Sequence, residues 1–220
     1  MKYNIKTDKF AVFDNVLDEQ HFSHFVKFFC GLEFKKPQQW QKVWRLSDGE
    51  NLGGEEYKSF NAPFNNPIDW MHSYVTNLSK DYVSEICGKE GEDWDHIVYR
   101  PYIYPAGSRI SWHDDYGYSA ACIFYCHTEW SPYWGGELLI ANTPPLEEID
   151  LVGSSDELIM RQCSNKILNH FGNGYYISCL PNRLVFSKGS VWHSINRVDQ
   201  CAGEKLRCSV VAFFKKSKPD

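Results

Sequence analysis

The C-terminal part of the chain consists of short alternating apolar and polar runs that are separated by turn residues. From residue 97 onward, runs rich in β-branched and aromatic residues are bounded by Gly, Pro, Asn and Asp. They predict eight strands, at 97–104, 109–115, 120–126, 137–140, 175–180, 183–187, 191–195 and 207–214. Many short strands in succession are typical of a barrel or a double-sheet jelly roll. The pattern predicts a mainly β fold with flanking helices.

The helices are predicted in the N-terminal part, after a short strand at 10–13. One helix begins near Asp18, has apolar residues at helical spacing and ends at Gly31. A second begins after Asn66 and Pro67 and is predicted to continue to Gly88. Its aromatic and aliphatic residues repeat every four positions, at Trp70, Tyr74, Leu78, Tyr82 and Ile86.

The length of 220 residues predicts one domain. We expect a helical support at about 14–90 and a jelly-roll core at about 95–214. Two long loops, 39–62 and 141–174, are predicted to be lids or binding segments, with plain surface elaboration as the alternative. The second contains a predicted short helix near 156–162.

Charge and composition exclude several classes of function. The formal charge is −5, and the basic residues cluster only near the end of the chain, at Lys215, Lys216 and Lys218. A nucleic-acid partner is therefore not expected. The sequence has no long apolar run and no signal-peptide core, and its eight cysteines form no C-x-x-C pair. We expect a cytoplasmic protein with free thiols and no membrane association, whose oligomeric state the sequence leaves open.

Three residues have the chemistry of an open metal site. His113 and Asp115 are two apart, so on a strand their side chains project from the same face. His193 follows on another predicted strand, after a turn at Gly189. Two imidazoles and one carboxylate form the facial triad of non-haem Fe(II) oxygenases, which leaves positions open for a bidentate co-substrate and dioxygen. His-x-Asp alone is a weak signal, and a structural role for His113 is its alternative.

Arg207 begins a strand that is apolar on both faces. It shares one face with Ser209, Val211 and Phe213. A buried guanidinium is costly unless a carboxylate meets it, and its planar fork fits a bidentate carboxylate. The alternative is an arginine that extends into solvent at the start of the strand.

In combination, these residues resemble the prolyl-4-hydroxylase-like branch of the 2-oxoglutarate/Fe(II) dioxygenase superfamily. The resemblance covers most of the chain outside the two long loops. Its further motifs are Gly135-Gly136-Glu137-Leu138, Pro181-Asn182-Arg183-Leu184-Val185-Phe186, Arg207-x-Ser209 and the entry segment Phe13-Asp14-Asn15-Val16-Leu17.

The resemblance implies a double-stranded β-helix (a cupin-like jelly roll) and a role for each residue of the site. His113, Asp115 and His193 are expected to hold Fe(II), and Arg207 and Tyr125, with Ser209 beside them, the C5 carboxylate of 2-oxoglutarate. Tyr104 matches a tyrosine that some relatives use near the co-substrate, with a core aromatic as its alternative. The expected reaction is hydroxylation of a C–H bond with O2, which gives succinate and CO2, with ascorbate as an accessory reductant.

The substrate is less well specified. Asp115 argues against halogenation, and Phe213 stands where nucleic-acid demethylases carry a second arginine. A free amino acid or other small metabolite is the leading substrate, and a peptidyl residue such as proline in a protein is the alternative. A non-catalytic jelly-roll binding protein and, last, a zinc hydrolase also remain open.

Two further sets of residues have weaker interpretations. Acidic residues of the first loop, including Asp48 and Glu56, are interpreted as solvated charges, with recognition of a cationic substrate as the alternative. His127 is interpreted as a surface or satisfied histidine, with a part near the mouth of the pocket as the alternative.

Overall fold

Two antiparallel sheets form the body of the protein, and the helices pack on the larger sheet. A computed structural model describes residues 4–36, 46–115, 117–142, 165 and 173–217. The strands are β1 Ile5–Lys6, β2 Phe10–Phe13, β3 Leu52–Gly53, β4 Tyr57–Lys58, β5 His96–Tyr104, β6 Ile110–His113, β7 Tyr118–Tyr125, β8 Leu138–Ala141, β9 Gly174–Ile177, β10 Leu184–Lys188, β11 His193–Ile195 and β12 Arg207–Lys215. The helices are α1 Glu19–Cys30, α2 Ile68–Asp81 and α3 Ser84–Cys87.

The larger sheet has the strand order β1-β2-β10-β7-β12-β5-β3, with β4 also paired to β5, and the smaller sheet has the order β6-β11-β8-β9. Buried apolar residues form two clusters on the two faces of the larger sheet. One cluster joins it to the helices, and the other joins it to the smaller sheet. This arrangement confirms the predicted mainly β jelly roll with flanking helices.

The alternation along β12 explains how one strand contributes to both clusters. Val210 and Ala212 pack toward the helices, whereas Val211 and Phe213 pack toward the smaller sheet. Arg207 belongs to the second set by its position on the strand. The predicted site residue of this strand therefore faces the space between the two sheets.

Helix α1 agrees with its prediction. The side chain of Asp18 accepts a hydrogen bond from the backbone N–H of His21 at 2.8 Å, and the helix ends at Gly31. Phe25 and Phe29, which are one turn apart, are buried against the larger sheet.

The second predicted helix is wrong in its length and in its buried face. Helix α2 ends at Asp81, and a separate turn, α3, follows Val83, whose φ of −136° is not helical. The buried residues of α2 are Ile68, Met71, Val75 and Leu78, at spacings of three and four. A strict repeat of four drifts by about 40° at each step around a helix with 3.6 residues per turn. For this reason Tyr74 of the predicted repeat is exposed. Tyr82 is also exposed, but it lies beyond the end of α2.

All eight predicted C-terminal strands are present, with two shifted ends that matter for the site. β6 ends at His113, so Asp115 is not on the strand, and β9 ends at Ile177 rather than at residue 180. Part of the first long loop forms β3 and β4 beside β5. Most of the second loop, with the predicted helix at 156–162, lies outside the described residues.

The described part of the chain contains no helix that is long and apolar enough to cross a bilayer. Its seven cysteines are all free, five of them buried.

Candidate active site

The two histidines of the triad face each other across neighbouring strands of the smaller sheet. His113 of β6 and His193 of β11 are register partners, and their ring centroids are 4.3 Å apart. Asp115 lies in the turn after β6, where its backbone N–H donates to the carbonyl of Gly189 at 2.8 Å. A Cβ added at Gly189 would lie 2.0 Å from the carbonyl oxygen of Tyr118, so only glycine allows this close approach. The prediction that a strand presents Asp115 is wrong, and the turn at Gly189 positions it instead.

The hydrogen bonds of the imidazoles determine which nitrogens face the centre. Nδ1 of His113 donates to the carbonyl of Ser111, and Nδ1 of His193 donates to the carbonyl of Val191, each at 2.8 Å. Because a carbonyl only accepts, each Nδ1 carries the proton and each Nε2 keeps a lone pair. This arrangement is usual for histidines that bind metal.

The geometry of the donor atoms fits one metal ion. One ligand atom from each of His113, Asp115 and His193 lies within 4.8 Å of the other two, and Nε2 of His193 is 3.6 Å from Oδ2 of Asp115. Two nitrogens and one oxygen on one side leave the opposite side open, as the facial triad requires. Burial raises the pKa of Asp115, His193 lowers it, and Asp114 raises it further. A divalent cation between the three ligands would compensate the buried carboxylate charge.

Asp48 supports β6 from behind. It is 1% exposed, and its carboxylate accepts from the hydroxyl of Ser111 at 2.6 Å and from Nε of Arg109 at 3.2 Å. The carbonyl of Ser111 in turn accepts from His113. The interpretation of Asp48 as a solvated loop charge is therefore wrong. The sequence alone gave no sign that this loop carboxylate reaches a strand more than sixty positions later.

A cavity of about 670 Å³ lies between the two sheets. The smaller sheet and its turns contribute the triad to one wall. The larger sheet contributes alternate residues of β5 to the other wall, namely His96, Val98, Arg100, Tyr102 and Tyr104. The volume lies within the usual range of small-ligand sites.

Arg207 is 0% exposed and lies behind Tyr104, which is a residue of the cavity wall. Arg207 itself does not line the cavity, and the buried region around it is the closed end of the space between the sheets. Its Nε donates to the carbonyl of Gly136 at 2.6 Å, and its Nη atoms lie 3.3 Å from the hydroxyl of Tyr125 and 3.5 Å from that of Ser209. The guanidinium carbon is 4.8 Å from the ring centroid of Tyr104 and 4.9 Å from that of Tyr125. The alternative of an arginine in solvent is wrong, and the structure brings together all four residues predicted to bind the co-substrate.

The partners of Arg207 are neutral. Within the described ranges no carboxylate of the protein lies at ion-pair distance from it. Burial alone would lower its pKa, but Cys179, Tyr125 and Tyr104 raise it, so the guanidinium stays charged. A buried charge without a counter-ion is costly, and an anion bound beside it would compensate that cost.

Gly136 makes the position of Arg207 possible. Its φ is +76°, and an added Cβ would lie 2.9 Å from Cδ of Arg207. The glycine pair that the sequence shows at 135–136 thus has a steric reason in this structure.

His127 does not line the cavity, so the alternative of a part at the pocket mouth is wrong, and its interpretation as a satisfied histidine agrees with the structure. It is 7% exposed; its Nε2 donates to the carbonyl of Cys179 at 2.7 Å, and its Nδ1 accepts from the N–H of Cys208 at 3.3 Å. Burial lowers its pKa to about 4. It is a neutral structural histidine that supports the strands around Arg207.

Several residues that line the cavity were not predicted as functional, among them Arg100, Tyr102 and Tyr118. The sequence could have indicated Arg100 and Tyr102, because they lie at a spacing of two from each other and from Tyr104 and so share one face of the strand. Glu56, which was interpreted as a solvated loop charge with substrate recognition as the alternative, lines the cavity because the pairing of β4 with β5 brings its loop there.

Comparison with known proteins supports the fold. No family profile matches this sequence, and no curated protein matches it significantly. Among solved structures, a prolyl-4-hydroxylase from Pseudomonas putida matches with a TM-score of 0.64 at 14% identity, over 94% of this chain and 93% of that one. A prolyl hydroxylase from Trichoplax adhaerens, solved with a peptide fragment of hypoxia inducible factor, matches with a TM-score of 0.64 at 14% identity, over 96% and 84%.

The epimerase SnoN, solved with Fe3+, α-ketoglutarate and nogalamycin RO, matches with a TM-score of 0.62 at 11% identity, over 95% of this chain and 79% of that one. At these identities the likeness shows the fold alone. The chain therefore has the double-stranded β-helix fold of the 2-oxoglutarate/Fe(II) oxygenases, and a His-Asp-His site lies in its cavity.

Proposed function

We propose that the protein is an Fe(II)- and 2-oxoglutarate-dependent oxygenase that hydroxylates an unactivated C–H bond of a small molecule, such as an amino acid or another metabolite. One observation carries this proposal. A metal-competent triad of His113, Asp115 and His193 lines a cavity, and behind the wall residue Tyr104 lies a buried, charged Arg207 with only neutral partners in the described chain. A zinc hydrolase would need the triad but would give Arg207 no purpose.

The residues of the site have two separate roles, metal binding and co-substrate binding. The triad would hold Fe(II) through the two Nε2 atoms and the carboxylate, and Arg207, with Tyr125 and Ser209, would bind the C5 carboxylate of 2-oxoglutarate. Tyr104, whose ring lies against the guanidinium of Arg207 and lines the cavity, would contact the co-substrate between the two sites. With O2, the iron and 2-oxoglutarate supply the oxidation of a C–H bond and release succinate and CO2, and ascorbate serves as an accessory reductant. The protein's own contribution is a fixed ligand geometry and a closed end that excludes water.

The size and form of the cavity support a small substrate. A space of about 670 Å³ between two sheets is matched to a small molecule, and charged side chains such as Arg100 and Glu56 lie on its wall. A peptidyl hydroxylase is the second candidate, because a structure of the same fold was solved with a peptide fragment. A cytoplasmic location remains a prediction.

The proposal is tested by measuring the decarboxylation of 2-oxoglutarate labelled at C1. Purified protein with Fe(II), ascorbate and O2 is expected to release labelled CO2 slowly without substrate, in equal amount to the succinate formed. His193→Ala should remove this release, whereas His72→Gln, a change to a histidine on α2, should retain it. No release from the wild-type protein, or release equal to that of His193→Ala, would contradict the proposal.

A further inference from the structure

A second arginine faces the cavity, far from Arg207. Arg100 lies on β5, four residues before Tyr104. At about 3.4 Å per residue, the two positions are about 14 Å apart along the strand. Because Tyr104 is the register partner of Arg207, and Arg100 is that of Val211, the two arginines cannot bind the same carboxylate group.

Arg100 is held in place but has unused hydrogen-bonding capacity. Its Nη1 lies 3.4 Å from Oε1 of Glu56, and its guanidinium carbon is 5.6 Å from the ring centroid of Tyr102. Its Nε is buried and has no hydrogen-bond partner in the described chain. A buried donor without a partner is unusual, but this atom is closed off from the cavity. Of the two Nη atoms, only Nη1 is hydrogen-bonded within the described chain, so the 19% of the side chain that is exposed keeps a donor for a ligand.

Gly53 of β3 leaves the space in which the guanidinium lies. A Cβ added at Gly53 would lie 3.3 Å from Nε and 3.4 Å from Nη2 of Arg100. The side chain of Arg100 is restricted by three neighbours: the backbone of Gly53, the ring of Tyr102 and the carboxylate of Glu56. An arginine restricted in this way loses little conformational entropy when it binds an anion.

Arg100 and the metal centre belong to the same cavity. Tyr118 also lines this cavity, and its backbone N–H donates to the carbonyl of Asp115 at 3.0 Å. The ring of Tyr118 packs on Phe213 at a centroid distance of 4.8 Å. Apolar side chains line the space between the two sites, among them Ile123, Val211 and Phe213.

We propose that Arg100 binds a carboxylate of the primary substrate, so that the protein acts on a small carboxylic acid whose carbon chain lies against the apolar wall and faces the triad. This inference rests on the function proposed above. The ion pair between Arg100 and Glu56 is long, and the side chain of Glu56 is 44% exposed. A substrate carboxylate can therefore bind Arg100 beside Glu56 or in its place. Glu56 then gives the mouth an acceptor for a cationic group of the same substrate.

The test uses the anaerobic complex of the protein with Fe(II) and 2-oxoglutarate, whose visible charge-transfer band responds to a substrate beside the iron. The probes are the proteinogenic L-amino acids and short unbranched monocarboxylic acids, each compared with its primary amide. At least one acid should perturb the band and stimulate succinate formation, and its amide should do neither.

Arg100→Gln should raise the half-saturating concentration of that acid by about 30-fold, the loss expected for a charge-assisted hydrogen bond of about 2 kcal/mol. Arg100→Lys should restore part of the binding. Lys58→Gln is the matched control, because Lys58 is a second cation on the cavity wall, on β4. It should change the response little, and the dissociation constant of 2-oxoglutarate should be the same in all three variants.

Four results would overturn the inference: no acid perturbs the band, amides act as well as acids, Arg100→Gln responds like the wild-type protein, or Lys58→Gln is as impaired as Arg100→Gln. Each of these leaves the band with 2-oxoglutarate intact. If that band is absent from the wild-type protein, the proposed function fails first and the inference fails with it.

Discussion

The closed end, behind Tyr104, and the open end, at Arg100 on the cavity wall, each contain an arginine. The two arginines differ in burial and in partners. At the closed end, Arg207 is 0% exposed and contacts neutral groups. At the open end, the side chain of Arg100 is 19% exposed and pairs with Glu56. A guanidinium that is buried without a counter-ion is preorganised for one anion and gains most from binding it. A guanidinium that is partly exposed and already paired can exchange ligands at low cost. From this difference we assign the closed end to 2-oxoglutarate and the open end to the primary substrate.

Loss of a metal ligand should remove function at both ends, and this is the largest effect expected. In His193→Ala the iron affinity should fall by more than the roughly 10- to 100-fold that is typical of losing an outer-shell partner. Neither 2-oxoglutarate nor substrate should then perturb a visible band. The measurement is an anaerobic Fe(II) titration, with His72→Gln as control. Unchanged iron affinity in His193→Ala would place the metal elsewhere.

Replacing each arginine with alanine should show that only Arg207 contributes to the binding of 2-oxoglutarate. Arg207→Ala should weaken 2-oxoglutarate binding by about 10²- to 5 × 10³-fold, because removing one partner of a buried charge pair costs about 3–5 kcal/mol. Arg100→Ala should leave this affinity unchanged. The dissociation constants follow from titration of the charge-transfer band. Equal losses in the two variants would break the assignment of the ends.

The closed end should also lose stability in acid. Burial lowers the pKa of His127 to about 4, while an unfolded histidine has a pKa near 6.5. Above pH 6.5 the residue is neutral in both states, so its contribution to stability is complete. As the pH falls toward 4, the unfolded state binds the proton first and this contribution is lost.

From these two pKa values, the free energy of unfolding should be about 2 kcal/mol lower at pH 5 than at pH 7.5 on account of His127. Urea unfolding of the wild-type protein and of His127→Gln at both values isolates this difference. An identical pH dependence in the two proteins would contradict the burial of a neutral His127.

The smallest effect is expected behind the triad. Asp48→Asn keeps the shape of the side chain but weakens the acceptor that holds Ser111, whose carbonyl orients His113. Iron affinity should fall by about 10-fold, as for other outer-shell changes. Glu50→Gln is the matched control, because Glu50 is a nearby exposed carboxylate that pairs with Lys36. An iron affinity for Asp48→Asn equal to that of the control would show that β6 alone orients His113.

Much of the closed end was predictable because local periodicity determines it. The alternation along β12 placed Arg207 on the face of Val211 and Phe213, and the structure has it there. The ligand types of His113, Asp115 and His193 were sufficient to predict a metal site. The capping of α1 by Asp18 was also a local signal.

The open end was not predicted because long-range pairing forms it. Glu56 reaches Arg100 only because β4 lies beside β5, and Asp48 reaches Ser111 by a similar route. Asp115 depends on a turn that Gly189 makes, whereas the spacing of two suggested a strand. The end of α2 depends on tertiary packing around Val83, which is fully buried.

The most direct test of the central claim is an anaerobic titration of the apo-protein with Fe(II) and 2-oxoglutarate, with the visible spectrum as the readout. The account predicts a weak charge-transfer band that saturates with one equivalent of each, is absent in His113→Ala, requires much more 2-oxoglutarate in Arg207→Ala and is unchanged in Arg100→Ala. A wild-type protein that binds iron without this band, or a band that survives His113→Ala, would contradict the account.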